Sequence, residues 1–202
     1  SVDTATARTS IVAADLPVVF VGFGANAPEQ DWDDYGDIDL TDKLAIYLVN
    51  DPDFAAEPEE PVAGRFGNRR MTYYGRWAYK FEEAARRGAF GALVIHETKA
   101  AGYDWSVAAA GAGENVSLAN KDPKALPVKL QGWLHNDVAH ELLATAGHDL
   151  DALREKARKP EFQAFELEGI RFDAELEVDI TTFDSQNVLG LIPGSARPDE
   201  VI

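Results

Sequence analysis

The segment from residue 72 to residue 96 constrains the fold most, because its hydrophobic period changes once, from helical to extended. Thr72 is the predicted N-cap of the helix, and Gly88 suits the left-handed position at its C-terminal end. The apolar run over residues 89–96 follows directly and predicts a strand. Five side chains recur at helical spacing and predict one buried helix face: Tyr74, Trp77, Phe81, Ala84 and Ala85.

Other apolar runs predict further strands around this helix–strand unit. In residues 171–180 apolar and charged side chains alternate, which is typical of a strand with one buried and one charged face. Continuous short apolar runs predict four more strands, over residues 17–24, 43–49, 126–130 and 187–195. Strands therefore outnumber helices in the predicted fold.

Two more helices are predicted in the second half of the chain. Residues 136–146 end at Gly147, and residues 149–158 end before a proline. The second of these helices has its apolar face formed by Leu150, Leu153 and Ala157. Residues 51–70 carry three prolines and predict a long surface excursion, and residues 102–113 predict a loop.

The element order predicts a mixed α/β domain. Strands and helices show no regular alternation, and there is no glycine-rich phosphate loop, so a Rossmann fold is not expected. At 202 residues, one domain is favoured over two small ones.

Composition and charge exclude several classes of partner. The chain has 35 acidic and 19 basic residues and a formal charge of −16, so phosphate backbones and anionic lipid surfaces are repelled. No window approaches the roughly 18 apolar residues that a membrane-spanning helix needs. The chain is therefore expected to be soluble, with neither nucleic acid nor membrane as a partner. It has no cysteine, which excludes disulfides and thiolate chemistry without indicating a compartment.

The acidic stretch DWDDYGDIDLTD, residues 31–42, has the length and several oxygen positions of a calcium-binding EF-hand loop. Tyr35 occupies a position that usually supplies an oxygen, and Asp42 stands where a glutamate is usual. An EF-hand loop joins two helices, whereas this stretch lies between two predicted strands. An acidic connection is the favoured interpretation, and weaker cation binding by the carboxylates stays open.

Motifs for hydrolytic chemistry are incomplete. His140 and Glu141 begin like the zinc motif HExxH, but Ala144 stands where the second histidine is needed. His135 and His148 are expected at helix caps or on the surface. No G-x-S-x-G elbow is present, and paired acids are too common in this chain to indicate acid/base catalysis. The sequence therefore indicates a non-catalytic protein, with no catalytic, cofactor-binding or metal-binding residue assigned.

His96 and a pair of loop aromatics are the remaining candidates. His96 at a strand end is expected to be a core or rim histidine more often than a functional one. Tyr103 and Trp105 flank Asp104 in the glycine-rich loop, where no periodicity requires their burial. Aromatic side chains exposed on loops are typical contact residues. Tyr103, Asp104 and Trp105 are therefore the predicted contact surface.

Four segments together resemble a known family. They are PVVFVGFG at residues 17–24, YGDIDLTDKLAIYLVNDP at 35–52, MTYYGRWAYKFEEAARRGAFGALVIHE at 71–97 and NVLGLIPGSARPDEVI at 187–202. In this order they resemble the protease-associated (PA) domain inserted in bacterial di-zinc aminopeptidases related to glutamate carboxypeptidase and the transferrin receptor. The third segment is the specific part, and the resemblance covers nearly the whole chain.

The resemblance implies a fold and a chain organisation. The expected fold is a PA-type β-sandwich or open barrel flanked by helices. One PA domain is expected over residues 1–202, with an N-terminal linker at 1–16 and a strand and linker toward an absent peptidase domain at 187–202. In this family an acidic segment leads into the strand here spelled KLAIYLV, so residues 31–42 are expected to be a connection.

The resemblance also implies a function. The expected role is a non-catalytic lid or recognition module of a secreted or periplasmic zinc aminopeptidase, a metallopeptidase whose zinc is held by the catalytic domain of the same polypeptide. That catalytic domain is the expected partner, with a peptide substrate or a protein as a further one. The family's zinc ligands and catalytic glutamate have no counterpart here. The alternative is a self-contained acidic module that binds calcium.

Overall fold

The computed structural model describes residues 10–110, 127–179, 181, 183–184, 186–190 and 195–196. Its centre is a five-stranded sheet with the spatial order β6-β5-β4-β1-β7. These strands are β1 (Ser10–Gly22), β4 (Leu44–Leu48), β5 (Gly91–His96), β6 (Leu130–His135) and β7 (Phe165–Glu177). Strands β1, β4, β5 and β6 are parallel, and β7 pairs with β1 in the antiparallel direction. A separate ribbon pairs β2 (Asn26–Ala27) with β3 (Trp32–Asp33).

A 3-10 helix spans Pro28–Gln30, and five α-helices accompany the sheet in the described residues. They are α1 (Trp77–Arg86), α2 (Thr98–Ala101), α3 (Trp105–Ala109), α4 (Asn136–Thr145) and α5 (Leu150–Ala157). Helix α1 connects β4 to β5, and α2 and α3 follow β5 before β6. Three parallel strands therefore alternate with helices, and the prediction of no regular alternation is wrong. None of the helices in the described part of the chain is long and apolar enough to cross a membrane.

Both faces of the sheet are covered at β4, at β5 and at the second half of β1, which explains why these strands are continuous apolar runs. On one face, Val18, Phe20 and Ile46 pack with residues of α4 and α5. On the other face, Val19 and Tyr47 pack with α1. Adjacent residues of one strand thus pack into the hydrophobic cores on opposite faces of the sheet, since side chains alternate along a strand. The prediction of a mixed α/β domain is confirmed at this level.

The second-half helices match their prediction closely. Leu150, Leu153 and Ala157 are buried on the inner face of α5. Asp149 caps α5 by accepting a hydrogen bond from the backbone N–H of Ala152. Helix α4 ends before Gly147, which has the left-handed φ of 79°. Local capping and hydrophobic period agree here with the tertiary packing, so the boundaries were readable from sequence.

The start of α1 differs from its prediction. Thr72 is not the N-cap, because Asp51 accepts hydrogen bonds from both its backbone N–H and its hydroxyl. The helix begins at Trp77, after Arg76, which makes no capping side-chain bond. Trp77 is 47% exposed rather than inward, whereas Phe81 is buried as expected. A long-range carboxylate therefore holds Thr72, residues 73–76 form a turn and a bend, and the helix is shorter than predicted.

Four other boundaries are corrected. Residues 10–16, expected in a linker, form the first half of β1 and pair with β7. The strand expected over residues 126–130 begins only at Leu130. Residues 105–109, expected in a loop, are helix α3. Residues 187–190 are in no strand, and Val188 is 99% exposed, while residues 191–194 of that prediction lie outside the described part.

Candidate functional site

The carboxyl ends of the parallel strands meet at one edge of the sheet. Strand β4 is followed there by Asn50 and Asp51, β5 ends in His96, and β6 ends in His135. Open α/β sheets bind their ligands outside this edge, because loops diverge there and leave a crevice. The residues at this edge are therefore the candidates for a ligand-binding site.

Aromatic rings enclose His96 at this edge. Its ring centroid lies 5.4 Å from that of Tyr103, 5.4 Å from that of Trp105 and 5.5 Å from that of Trp133. Trp105 also stacks edge-on against His135 at 4.9 Å. The cluster forms because β5 and β6 pair with His96 opposite His135. These five residues are named the aromatic edge cluster.

A short turn brings Tyr103 and Trp105 to the cluster. Helix α2 ends at Gly102, whose φ of 82° is the left-handed conformation that glycine adopts without strain. The chain then reverses over the end of β5. Asp104 caps α3 by accepting a hydrogen bond from the backbone N–H of Ser106 at 2.9 Å. That hydrogen bond lowers the pKa of Asp104, and the nearby His96 acts in the same direction.

Exposure within the cluster is graded. His96 is only 2% exposed, and its Nε2 finds no hydrogen-bond partner among the described residues. Tyr103, Trp105 and Trp133 are half-buried, so each ring offers one side to solvent. Burial raises the pKa of the Tyr103 hydroxyl. The arrangement supplies aromatic contact area around one buried polar nitrogen, which suits recognition of another molecule.

The predicted contact residues Tyr103, Asp104 and Trp105 are thus adjacent at the sheet edge. Tyr103 and Trp105 pack on His96, and Asp104 is exposed beside them as a helix cap. Their role in contact stays a prediction. Trp133 was missed because it lies within β6, three residues after the predicted end of that strand. The phrase LQGWLH, apolar around a glycine, was the signal that could have located it.

A fully buried lysine lies beneath the same edge. The Nζ of Lys80 donates hydrogen bonds to the backbone carbonyls of Phe23 at 2.6 Å, Tyr74 at 2.9 Å and Asn50 at 3.2 Å. Burial lowers the pKa of Lys80 to about 8, against the opposing charges of Asp51 and Asp34. All three donors of the ammonium are used. Lys80 therefore joins the ends of β1 and β4 to the segment before α1.

Buried polar side chains fix the loops that leave this edge. Asn50 adopts a left-handed φ of 76° and donates from its amide to the carbonyl of Ala100 at 2.7 Å. Asp53 accepts hydrogen bonds from the backbone N–H groups of Phe66 and Asn68 at 2.9 and 3.0 Å. Burial raises the pKa of Asp51, which holds Thr72. The long excursion over residues 51–70 is consequently tied to the core.

The acidic stretch at residues 31–42 uses its carboxylates internally. Asp34 is buried and accepts hydrogen bonds from the backbone N–H of Ala25 at 2.9 Å and from the indole of Trp32 at 2.7 Å. Asp33 and Asp39 each accept from a backbone N–H two residues ahead. The stretch contains β3 and leads into β4, and no described α-helix adjoins it on either side. Among the described residues, no group of three or more acidic or histidine side chains is placed to hold a metal ion.

The other histidines have local structural contacts. His135 caps α4 by accepting a hydrogen bond at Nδ1 from the backbone N–H of Asp137, as its sequence position indicated. His140 lies 3.9 Å from a carboxylate oxygen of Asp151. The ring of His148 packs against that of Phe165 at a centroid distance of 5.0 Å.

Comparisons with known proteins give no assignment. No family model, no curated protein and no solved structure matches this chain.

Proposed function

We propose that this chain is a PA-type, non-catalytic domain of a zinc-dependent aminopeptidase, where it serves as an access lid or recognition module. The aromatic edge cluster carries the proposal. Its members Tyr103 and Trp105 come shortly after residues 71–97, the segment with the most specific resemblance, and are half-exposed at the sheet edge. Exposed aromatic rings give contact area at low entropic cost.

The framework differs from the β-sandwich or open barrel that the resemblance implied. The PA-type domain proposed here is built on one open five-stranded sheet with helices on both faces, rather than on two packed sheets within the described residues. Zinc would belong to the catalytic domain of the same polypeptide, which is the proposed partner. A peptide substrate or a protein would contact the cluster, and the parent enzyme would act outside the cytoplasm.

Rigidity would let the cluster discriminate between ligands. Tyr103 and Trp105 are fixed from below by His96 and from the side by the Asp104 cap. A contact surface that is ordered before binding loses less conformational freedom on association. Contact with residues of a substrate beyond its scissile bond would then favour peptides over minimal aminoacyl substrates.

Two measurements test the proposal. The native gene is read beyond codon 202, where we expect a His-x-Asp pair and further zinc ligands. In the full-length enzyme, Tyr103→Ala and Trp105→Ala are compared with Tyr73→Ala, which removes an exposed aromatic ring outside the cluster. We expect the cluster variants to lower kcat/KM for a peptide substrate by about tenfold, since each buried aromatic contact of this kind is worth about 1–2 kcal/mol.

The small aminoacyl substrate serves as the internal reference. We expect its kcat/KM to stay unchanged in all three variants, because it does not reach the cluster. Equal effects on both substrates, or no effect on either, would contradict a recognition role. A reading frame that stops at residue 202 would remove the aminopeptidase assignment itself.

A further inference from the structure

Two adjoining cavities open at the carboxyl ends of β4 and β5, apart from the aromatic edge cluster. The smaller has a volume of about 180 Å³ and lies between the sheet and α5. The larger is an open groove of about 900 Å³ along residues 54–70. Both are bordered by Phe54, Ala55 and Lys99. Together they are named the edge groove.

The smaller cavity has an apolar floor. Phe23, Leu48 and Ile95 line it, and each lies at or next to the carboxyl end of a parallel strand. A cavity of roughly 150 Å³ with such a lining admits one benzene ring. The smaller cavity therefore has room for one leucine or phenylalanine side chain, and for little more.

The larger cavity has unpaired positive charge. Arg69, Arg70 and Lys99 line it and are exposed, and none forms an ion pair with another described residue. The acidic lining residue there is Glu57. These three cations contrast with the formal charge of −16 on the whole chain. Their combined field attracts a negatively charged ligand.

The rim of the smaller cavity carries two arginines that are already paired, while Glu97 and Lys99 line it without an ion pair to another described residue. Arg154 contacts Asp151 at 2.7 Å. Arg158 contacts Glu155 and Glu60, although its buried Nε has no partner among the described residues. Cations without an ion pair among the described residues thus lie along the larger cavity and, through Lys99, at its border with the smaller cavity, whose floor is apolar.

The groove is formed before any ligand arrives. Asp53 is fully buried and holds the backbone at Phe66 and Asn68. The Arg158–Glu60 pair ties the same excursion to the end of α5. Binding sites of this kind are usually preformed, with an apolar lining and a few placed polar groups.

We propose that the edge groove binds an acidic peptide segment, with one apolar side chain in the smaller cavity and carboxylates along the larger one. The apolar side chain would contact Phe54 and the strand ends. Carboxylates would pair with Lys99, Arg69 and Arg70. The site shares no residue with the aromatic edge cluster and needs no neighbouring peptidase domain, so it goes beyond the function proposed above.

Fluorescence anisotropy on the 202-residue chain tests the site. The probe is a fluorescein-labelled peptide with one central leucine between glutamates. Two matched peptides replace the leucine by alanine, or the glutamates by lysines. We expect the leucine–glutamate peptide to bind at least tenfold more tightly than either, and its affinity to fall with added salt because the charges are exposed. Equal binding of the lysine peptide, or no binding of any peptide up to millimolar protein, would overturn the proposal.

Substitutions locate the binding. We expect the affinity for the leucine–glutamate peptide to fall at least tenfold in Lys99→Glu and in the double variant Arg69→Glu/Arg70→Glu. Ala55→Trp, at an exposed position shared by both cavities, is expected to remove the advantage of leucine over alanine. Lys129→Glu is the control, since it makes the same charge change before β6, at the opposite edge of the sheet. Equal weakening by Lys129→Glu and Lys99→Glu would show only net-charge repulsion and would refute the site.

Discussion

Replacing Lys80 by methionine removes the ammonium that joins the ends of β1 and β4 to the segment before α1. Methionine is unbranched and of similar length, so it fills most of the same space. It donates no hydrogen bond. The carbonyl oxygens of Phe23, Asn50 and Tyr74 then lose the donor that lies 2.6 to 3.2 Å away. Two of these bonds are fully buried, so water does not readily replace the donor there.

The expected cost follows from these contacts. An unsatisfied buried polar group costs about 1–3 kcal/mol, and hydrogen bonds to a charged donor lie at the upper end of the usual range. Removing the ammonium also removes its own desolvation penalty, which lowers its pKa to about 8 and offsets part of the loss. We therefore expect Lys80→Met to lower the free energy of unfolding by about 3 kcal/mol. For a domain of this size that corresponds to a fall in Tm of about 6–12 °C.

The assay is urea unfolding followed by far-UV circular dichroism and tryptophan fluorescence. Lys43→Met is the matched control, because its Nζ makes a single ion pair with Glu166 at 3.1 Å near the surface. Such a pair is worth about 0–1 kcal/mol. If Lys80→Met and Lys43→Met lower the free energy of unfolding equally, Lys80 does not hold the strand ends together as described.

Three further predictions concern carboxylates. Burial raises the pKa of Asp34 to about 7 from its ordinary 3.8, so its protonated form favours the folded state. The free energy of unfolding of the unmodified chain, minus that of Asp34→Asn, should therefore fall as pH rises from about 4 to about 7. Urea titrations measure both values, and a difference that stays constant or rises would contradict this expectation. Millimolar calcium should leave Tm unchanged, because the carboxylates of Asp33, Asp34 and Asp39 already accept hydrogen bonds from the protein. A clear rise in Tm would favour the calcium-binding alternative. Asp149→Ala should lower the free energy of unfolding by about 1 kcal/mol, because α5 loses its N-cap. Asp151→Ala breaks an exposed ion pair and should lower it by less than about 0.5 kcal/mol. Equal losses in the two variants would argue against the cap.

The candidate site was only partly readable from sequence. Tyr103 and Trp105 stood out because they are aromatic residues in a glycine-rich segment. Nothing local indicated that they would pack on His96, since that contact depends on the turn at Gly102 and on the pairing of β5 with β6. Only a weak sequence signal indicated that Lys80 is buried, namely that it precedes the buried Ala84 by one helical turn in α1. Its carbonyl partners lie up to 57 positions away and have no sequence pattern.

The edge groove was not predicted at all. Its cations come from residues 69–70 and from Lys99, which are far apart in the chain and meet through the order of strands β4 and β5. A charged residue in an acidic chain is unremarkable until its neighbours in space are known. That Lys99 forms no ion pair with another described residue is a property of the folded surface.

By itself, the sequence determined the elements whose signals are local. Continuous apolar runs predicted the buried strands, and glycines 88 and 147 predicted where α1 and α4 end, because backbone conformation and hydrophobic period act over a few residues. Only the tertiary structure decided the rest. The hydrogen bond from Thr72 to Asp51 makes α1 shorter than predicted. Residues 10–16 form a strand because they pair with β7. The pairing of β5 with β6 brings His96 together with its aromatic neighbours. Each of these depends on contacts between residues distant in the chain, whose free energy is gained only when the whole sheet forms.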